Sequence, residues 1–200
     1  LIVSATNDLK LEQFLEERSK QKVWIVCHVL DSEKGAYNGK VLLFRGLDDQ
    51  KPDICPADKV DVSPAKGSYV VYKPLGSPLL HGQLDPELGI DTVVATEGNH
   101  LTLFGRLEHQ SSGLPETFAR ILQRYPLVFL GYTLDVWQYR LVLRMLESIS
   151  EIGVPPRGLA IRAPTSALEE FTWGNLHIDL LTMSLDDFLA DLSVPATGQS

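Results

Sequence analysis

Apolar positions along this chain alternate between short strand-like runs and stretches with helical spacing. The clearest junction lies in Pro126 to Ser150, PLVFLGYTLDVWQYRLVLRMLESIS. Leu127-Val128-Phe129-Leu130 is a continuous apolar run that ends at Gly131, and from Val136 the spacing becomes helical. Trp137, Leu141 and Met145, flanked by Val142, Leu146 and Ile149, predict a wide apolar face suited to packing on a sheet. Arg140, Arg144 and Glu147 or Ser148 predict the polar stripe, and Asp135 with Gln138 has the spacing of a capping box. A strand feeding a helix through such a turn is the unit of nucleotide-binding α/β sheets, and the N–H groups at the helix start can hold an anion. The same pattern also serves as an ordinary capped joint with no ligand.

The remaining pattern extends this alternation in both directions. Leu1 to Ala5 predicts a short strand, and Asp8 can cap a helix over Leu9 to Arg18 with Leu9, Leu11, Phe14 and Leu15 on its apolar side. Val23 to Leu30 and Lys40 to Arg45 read as strands separated by turn chemistry that includes Asn38-Gly39; they can pair as a hairpin or lie apart in one sheet. Leu47 to Gly67 is polar and proline-spaced, an irregular surface insertion. Ser68 to Leu75 is a strand, Leu79 to Ile90 a loop, and Asp91 to Ala95 a strand. A helix then starts at Glu97-Gly98-Asn99, carrying Leu101, Leu103, Phe104 and Leu107, and Pro115 opens another that runs to Tyr125. Beyond Ser150, strands over Gly158 to Arg162 and His177 to Leu181 alternate with helices over Ser166 to Trp173 and Ser184 to Leu192. Ser184 and Asp187 have cap spacing. This order predicts an α/β fold: an open, mostly parallel Rossmann-like sheet with helices on both faces and an irregular insertion at 47–67.

Composition narrows the function classes. The chain has 200 residues, 44% of them hydrophobic and 22% charged, enough for a substantial core with an ordinary polar surface. A net charge of -8 without any basic cluster argues against a nucleic-acid partner, although a small nucleotide needs only local donors. The only cysteines, Cys27 and Cys55, make neither a disulfide framework nor a metal-ligand spacing; Cys27 reads as a buried thiol and the usage as cytoplasmic. No apolar segment approaches a membrane span, and no membrane partner is expected. Leu1 already belongs to a strand-like run and SVPATGQS has linker composition, so the expected organisation is one domain over residues 1–192, a linker or tail over 193–200, and further domains of a parent protein as partners.

Four stretches together carry a family resemblance. Ser4-Ala5-Thr6-Asn7-Asp8 with Leu11-Glu12 is similar to a Thr-Thr-Asn-Tyr-Asp motif followed by Leu-Leu-Glu. VVYKPLG resembles a strand ending in Lys-Leu-His-Gly, VVATEGNHLTLF a strand with Thr-Glu and an acidic helix start, and FLGYTLDVWQYRLVLRML a Phe-Leu-Gly-Tyr-Ser-Leu-x-Asp turn with its helix. In this order they resemble bacterial sirtuin-like domains, including those fused to other modules in defence and signalling proteins. The resemblance implies an NAD-binding Rossmann-type fold, with NAD or ADP-ribose as the cofactor class and Thr6, Asn7, Asp8, Gly131, Tyr132 and Thr133 as the binding residues.

The departures from the family pattern bear on activity. No Gly-x-Gly occurs, so the loop that would cradle a dinucleotide pyrophosphate is missing from this stretch of chain. The position of the family's catalytic histidine is Leu75, in Lys73-Pro74-Leu75-Gly76, and leucine cannot accept a proton. One residue is also lacking between Asn7 and Asp8 relative to the motif. The resemblance therefore implies a degenerate domain without catalytic residues, acting as a ligand-sensing, interaction or regulatory module in a multidomain bacterial protein. The alternatives are an NAD hydrolase or NAD-dependent deacylase that uses Asn7, His81 (in LLHGQL) and an upstream Gly-rich loop, and a ligand-free structural α/β domain. His28 reads as a strand residue, and His100 and His177 as surface or packing residues.

Overall fold

The apolar run that starts at Val23 becomes the centre of a sheet, because a strand apolar on both faces can be satisfied only where both faces are covered. In a computed structural model, which describes residues 1–33, 35–60, 69–107, 114–134, 136–137, 139–140, 142–143, 158–162 and 167–193, this strand is β2 (Trp24–His28). The protein is α/β, and its chain divides into two compact units, Leu1–Ile121 and Leu122–Ser200.

In the first unit β1 (Ile2–Val3), β4 (Lys40–Phe44), β5 (Asp53–Pro56) and β6 (Val70–Lys73) join β2 in the order β1-β6-β2-β4-β5. β1, β6 and β2 run parallel, with Ile2 opposite Val71 and Ile25 opposite Val71. β2 and β4 are antiparallel, as are β4 and β5. A second, two-stranded antiparallel sheet pairs β3 (Asp31–Ser32) with β7 (Ile90–Asp91). The helices are α1 (Lys10–Ser19), the single turn α2 (Pro78–His81), α3 (Glu97–Leu107) and α4 (Glu116–Arg124); the division between the units falls within α4. One core gathers Leu9, Ile25, Cys27, Val29, Leu42, Phe44, Val71 and Leu80. A smaller one gathers Leu30, Leu75, Val94 and Leu103.

The second unit holds a three-stranded parallel sheet, β8 (Leu127–Leu130), β9 (Gly158–Arg162) and β10 (Ile178–Thr182), with β9 in the middle. Trp137, Tyr139, Arg140, Val142 and Leu143 are helical, as the spacing predicts. Its other helices are α5 (Ala167–Asn175) and α6 (Leu185–Ser193). The Ser184 hydroxyl accepts from the Asp187 N–H at 3.0 Å and donates to its carboxylate at 2.6 Å, the cap that the spacing indicates. Trp173 is fully buried against Phe129, with ring centroids 5.3 Å apart.

Several sequence expectations need correction. In place of a single, mostly parallel sheet, the described strands form three sheets, and the largest is mixed. The chain reverses after β3 through turn glycines at positive φ, Gly35 at 64° and Gly39 at 75°, which lets β4 return antiparallel to β2. The two runs at 23–30 and 40–45 thus pair directly. The insertion at 47–67 contains an edge strand, β5, and a 3-10 turn over Ala57–Lys59. A four-residue edge strand, half-exposed and closed by a proline, is too short to show an alternation that would reveal it. Asp91 to Ala95 is a strand only at Asp91, and the expected loop from Leu79 to Ile90 includes most of α2 and a 3-10 turn over Pro86–Leu88. The Asp135–Gln138 cap, the helix positions 144–149 and residues 61–68 and 194–200 lie outside the described residues.

Candidate functional site

The carboxyl ends of parallel strands are where open α/β sheets place their ligands. In the first unit the segment after β1 and the end of β6 meet at a buried ion pair. Lys73 Nζ lies 2.9 Å from Glu12 Oε1, and both side chains are fully buried. The same ammonium donates to Ser4 Oγ at 3.2 Å and to the Asp8 carbonyl at 2.8 Å, so its three protons each have an acceptor. Glu12 Oε2 has no hydrogen-bond partner among the described residues. The neighbouring Cys27 thiol is pushed up to about 12, mainly by burial, so it stays protonated.

Ser4 and Asp8 bracket the segment that the resemblance assigns to ligand binding. The Thr6 hydroxyl lies 3.2 Å from Ser4 Oγ. Asp8 Oδ1 accepts from the Lys10 N–H at 3.0 Å, while the N-cap position of α1 itself is Leu9, which makes no side-chain cap. Thr6, Asn7 and Asp8 are exposed. The outer side of this segment thus faces solvent while its ends are tied down by Lys73.

Leu75 is 5% exposed and packs with Leu30, Val94 and Leu103. Its carbonyl accepts from the Val94 N–H at 3.1 Å. Gly76 follows at φ +66°, where an added Cβ would stand 1.9 Å from the Thr92 carbonyl oxygen. The turn is therefore pressed against the segment around Thr92, and its side-chain contacts at Leu75 are apolar. His81, at the end of α2, is half-buried with Nδ1 3.3 Å from the Thr92 hydroxyl. It borders an open cleft of about 710 Å³ that is also lined by Asp31, Glu33, Asp85 and Asp91. His28 sits in β2, hydrogen-bonded through Nε2 to the Tyr72 hydroxyl at 2.6 Å, and burial, reinforced by Arg106, lowers it to about 4. His100 is buried in α3 and His177 is exposed.

In the second unit the Gly131-Tyr132-Thr133 turn follows β8. Gly131 has φ +62°, no atom of the described residues lies within 4 Å of where a Cβ would go, and its N–H donates to the Ile161 carbonyl at 3.4 Å. The Tyr132 ring stacks on Tyr139 at 4.9 Å, and its hydroxyl donates to the Tyr139 carbonyl at 2.6 Å. Burial raises the Tyr132 pKa above its ordinary value, so the phenol remains neutral. Arg162, at the end of β9, donates to the Thr133 hydroxyl at 3.1 Å and also to Glu169 Oε1. The same carboxylate oxygen accepts from the Leu134 N–H at 3.2 Å. Glu169 lies in the first turn of α5 and is 5% exposed.

The binding residues named from the sequence fall in both units: Thr6, Asn7 and Asp8 in the first, with His81, and Gly131, Tyr132 and Thr133 in the second. Sequence reading missed Glu12, Lys73, Arg162 and Glu169 as organisers of these turns. A signal existed for two of them. Lys73 ends an otherwise apolar strand run and Arg162 ends GLAIR, and a cation closing a buried strand needs an acceptor nearby. Nothing local marks Glu12 or Glu169 as their partners. Among the described residues no group of three His, Cys, Asp or Glu side chains could hold a metal, and no helix is long and apolar enough to cross a membrane. No protein-family model, curated protein or solved structure matches the chain.

Proposed function

We propose that the chain is a degenerate sirtuin-like α/β domain that senses a nucleotide-type ligand or docks a partner and does not catalyse. It would serve as a regulatory module of a larger cytoplasmic bacterial protein in defence or signalling. The observation that carries this reading is Leu75. At the position of the family's general base stands a side chain buried among Leu30, Val94 and Leu103, with no group able to take a proton from a ribose hydroxyl. In the first unit the exposed Thr6–Asp8 segment, tied at its ends by the buried Lys73–Glu12 pair, and in the second the Gly131–Thr133 turn beside the Arg162–Glu169 pair each offer polar groups to a nucleotide-type ligand such as NAD or ADP-ribose.

The second reading, an NAD hydrolase or deacylase with His81 as base and Asn7 beside the nicotinamide, is favoured by the cleft beside His81 and the Thr92 hydroxyl that orients its ring. Against it stand the four carboxylic acids of the same cleft, which would repel a pyrophosphate. Calorimetry with NAD and ADP-ribose, followed by product analysis after long incubation, separates the readings. Sub-millimolar binding without turnover is the expected result. Turnover that His81→Ala abolishes refutes it, and no binding at millimolar ligand leaves a structural domain.

A further inference from the structure

The second unit contains a converging set of donors whose occupant is part of the chain itself. The Arg162 guanidinium and the Leu134 N–H converge on one carboxylate oxygen at the carboxyl ends of the parallel strands β8 and β9, beside the Thr133 hydroxyl, which accepts from Arg162. Such a pair has the chemistry of a phosphate-oxygen site: one fixed cation and one amide donor in a partly dehydrated setting. A single carboxylate oxygen, Glu169 Oε1, takes both the Arg162 and the Leu134 donors. Arg162 is largely buried, with its side chain 17% exposed, so its charge needs an anion within reach whether or not a ligand is present. The residue providing that anion sits in the first turn of the short helix α5, whose movement would withdraw it.

We propose that Glu169 is an intramolecular stand-in for a phosphate group, and that it keeps this site closed until a phosphate-bearing ligand displaces it. The ligand class, a nucleoside diphosphate with a ribose such as ADP-ribose, rests on the functional reading above; the displacement itself rests on the donor geometry alone. Exchange of one anion for another leaves Arg162 paired throughout, so opening requires no uncompensated buried charge. α5 is then the element that reports occupancy, since it must shift when Glu169 leaves Leu134 and Arg162.

The test uses the full chain with Glu169→Ala and Glu169→Gln, titrated with ADP-ribose and, separately, with inorganic pyrophosphate. Calorimetry and thermal melting are the readouts. The Ala variant empties the site; the Gln variant keeps the shape but removes the charge, and decides the matter if the Ala variant does not fold. The expected result is at least tenfold tighter binding by the variants, with the ligand raising the Tm of the Ala variant towards that of the wild type. Adding Arg162→Met should remove the gain. Equal affinity of wild type and variants for ADP-ribose overturns the displacement and leaves the nucleotide reading standing. A gain for pyrophosphate alone supports the displacement and overturns the nucleotide reading. Variants that are folded and bind neither probe overturn both.

Discussion

Replacing Lys73 by methionine tests the most buried electrostatic feature of the first unit. The substitution removes three donated hydrogen bonds, to Glu12 Oε1, Ser4 Oγ and the Asp8 carbonyl. It also strands a fully buried carboxylate whose second oxygen already lacks a partner among the described residues. Breaking a buried pair from one side costs about 3–5 kcal/mol, because the remaining charge must be protonated or hydrated. Replacing both partners by apolar side chains avoids that cost, so Lys73→Met with Glu12→Leu should recover about 2 kcal/mol or more of the loss. The recovery is incomplete, since the Asp8 carbonyl and Ser4 hydroxyl lose their donor, at about 1 kcal/mol for each hydrogen bond. Equilibrium urea unfolding of the full chain at pH 7, arranged as a double-mutant cycle, measures all three quantities. Hydrogen exchange over residues 5–9 should accelerate in the single variant, because the ammonium is what ties both ends of that segment. A Lys73→Met cost below about 1 kcal/mol, or a double variant as unstable as the two singles summed, would refute the reasoning.

Two further predictions rest on equally local features. Burial, with Arg106 adding to it, holds His28 near 4 against an ordinary 6.5, so the fold favours the neutral ring. Below 6.5 the unfolded chain binds a proton that the folded chain refuses, so this contribution to stability is complete above 6.5 and is lost as the pH falls towards 4, about 3 kcal/mol over the window. His28→Gln, which keeps a polar partner for the Tyr72 hydroxyl, should flatten that part of the pH–stability profile; an unchanged slope would remove His28 as its source. Gly76→Ala and Gly131→Ala compare two glycines at nearly the same positive φ, one against the Thr92 carbonyl oxygen and one with no described atom within 4 Å of an added Cβ. Gly131→Ala should cost about 1–2 kcal/mol from backbone conformation alone, and Gly76→Ala clearly more, measured as Tm; equal losses would mean that the Thr92 contact does not constrain the turn.

The sequence by itself determined most of the secondary structure. Continuous apolar runs such as Val23 to Leu30 and Leu127 to Leu130, punctuated by Gly, Pro and capping Asp or Ser, mark their elements through nearest-neighbour chemistry that needs no tertiary partner. That residue 75 is a leucine without a titratable group is likewise legible from residue type alone. Tertiary structure decided the pairing directions and the division into units, because a strand's partner is fixed by burial and turn geometry far along the chain. It made β4 antiparallel to β2, gave residues 53–56 an edge to occupy, and reduced Asp91 to Ala95 to a single residue of strand. It also decided the role of the first and last of the turns singled out in the sequence. Thr6–Asp8 and Gly131–Thr133 read as free donor-rich segments until Lys73 is brought to Glu12 across 61 residues and Arg162 to Glu169 beneath Thr133. Charges taken out of water must find each other, and only the folded chain shows which ones do.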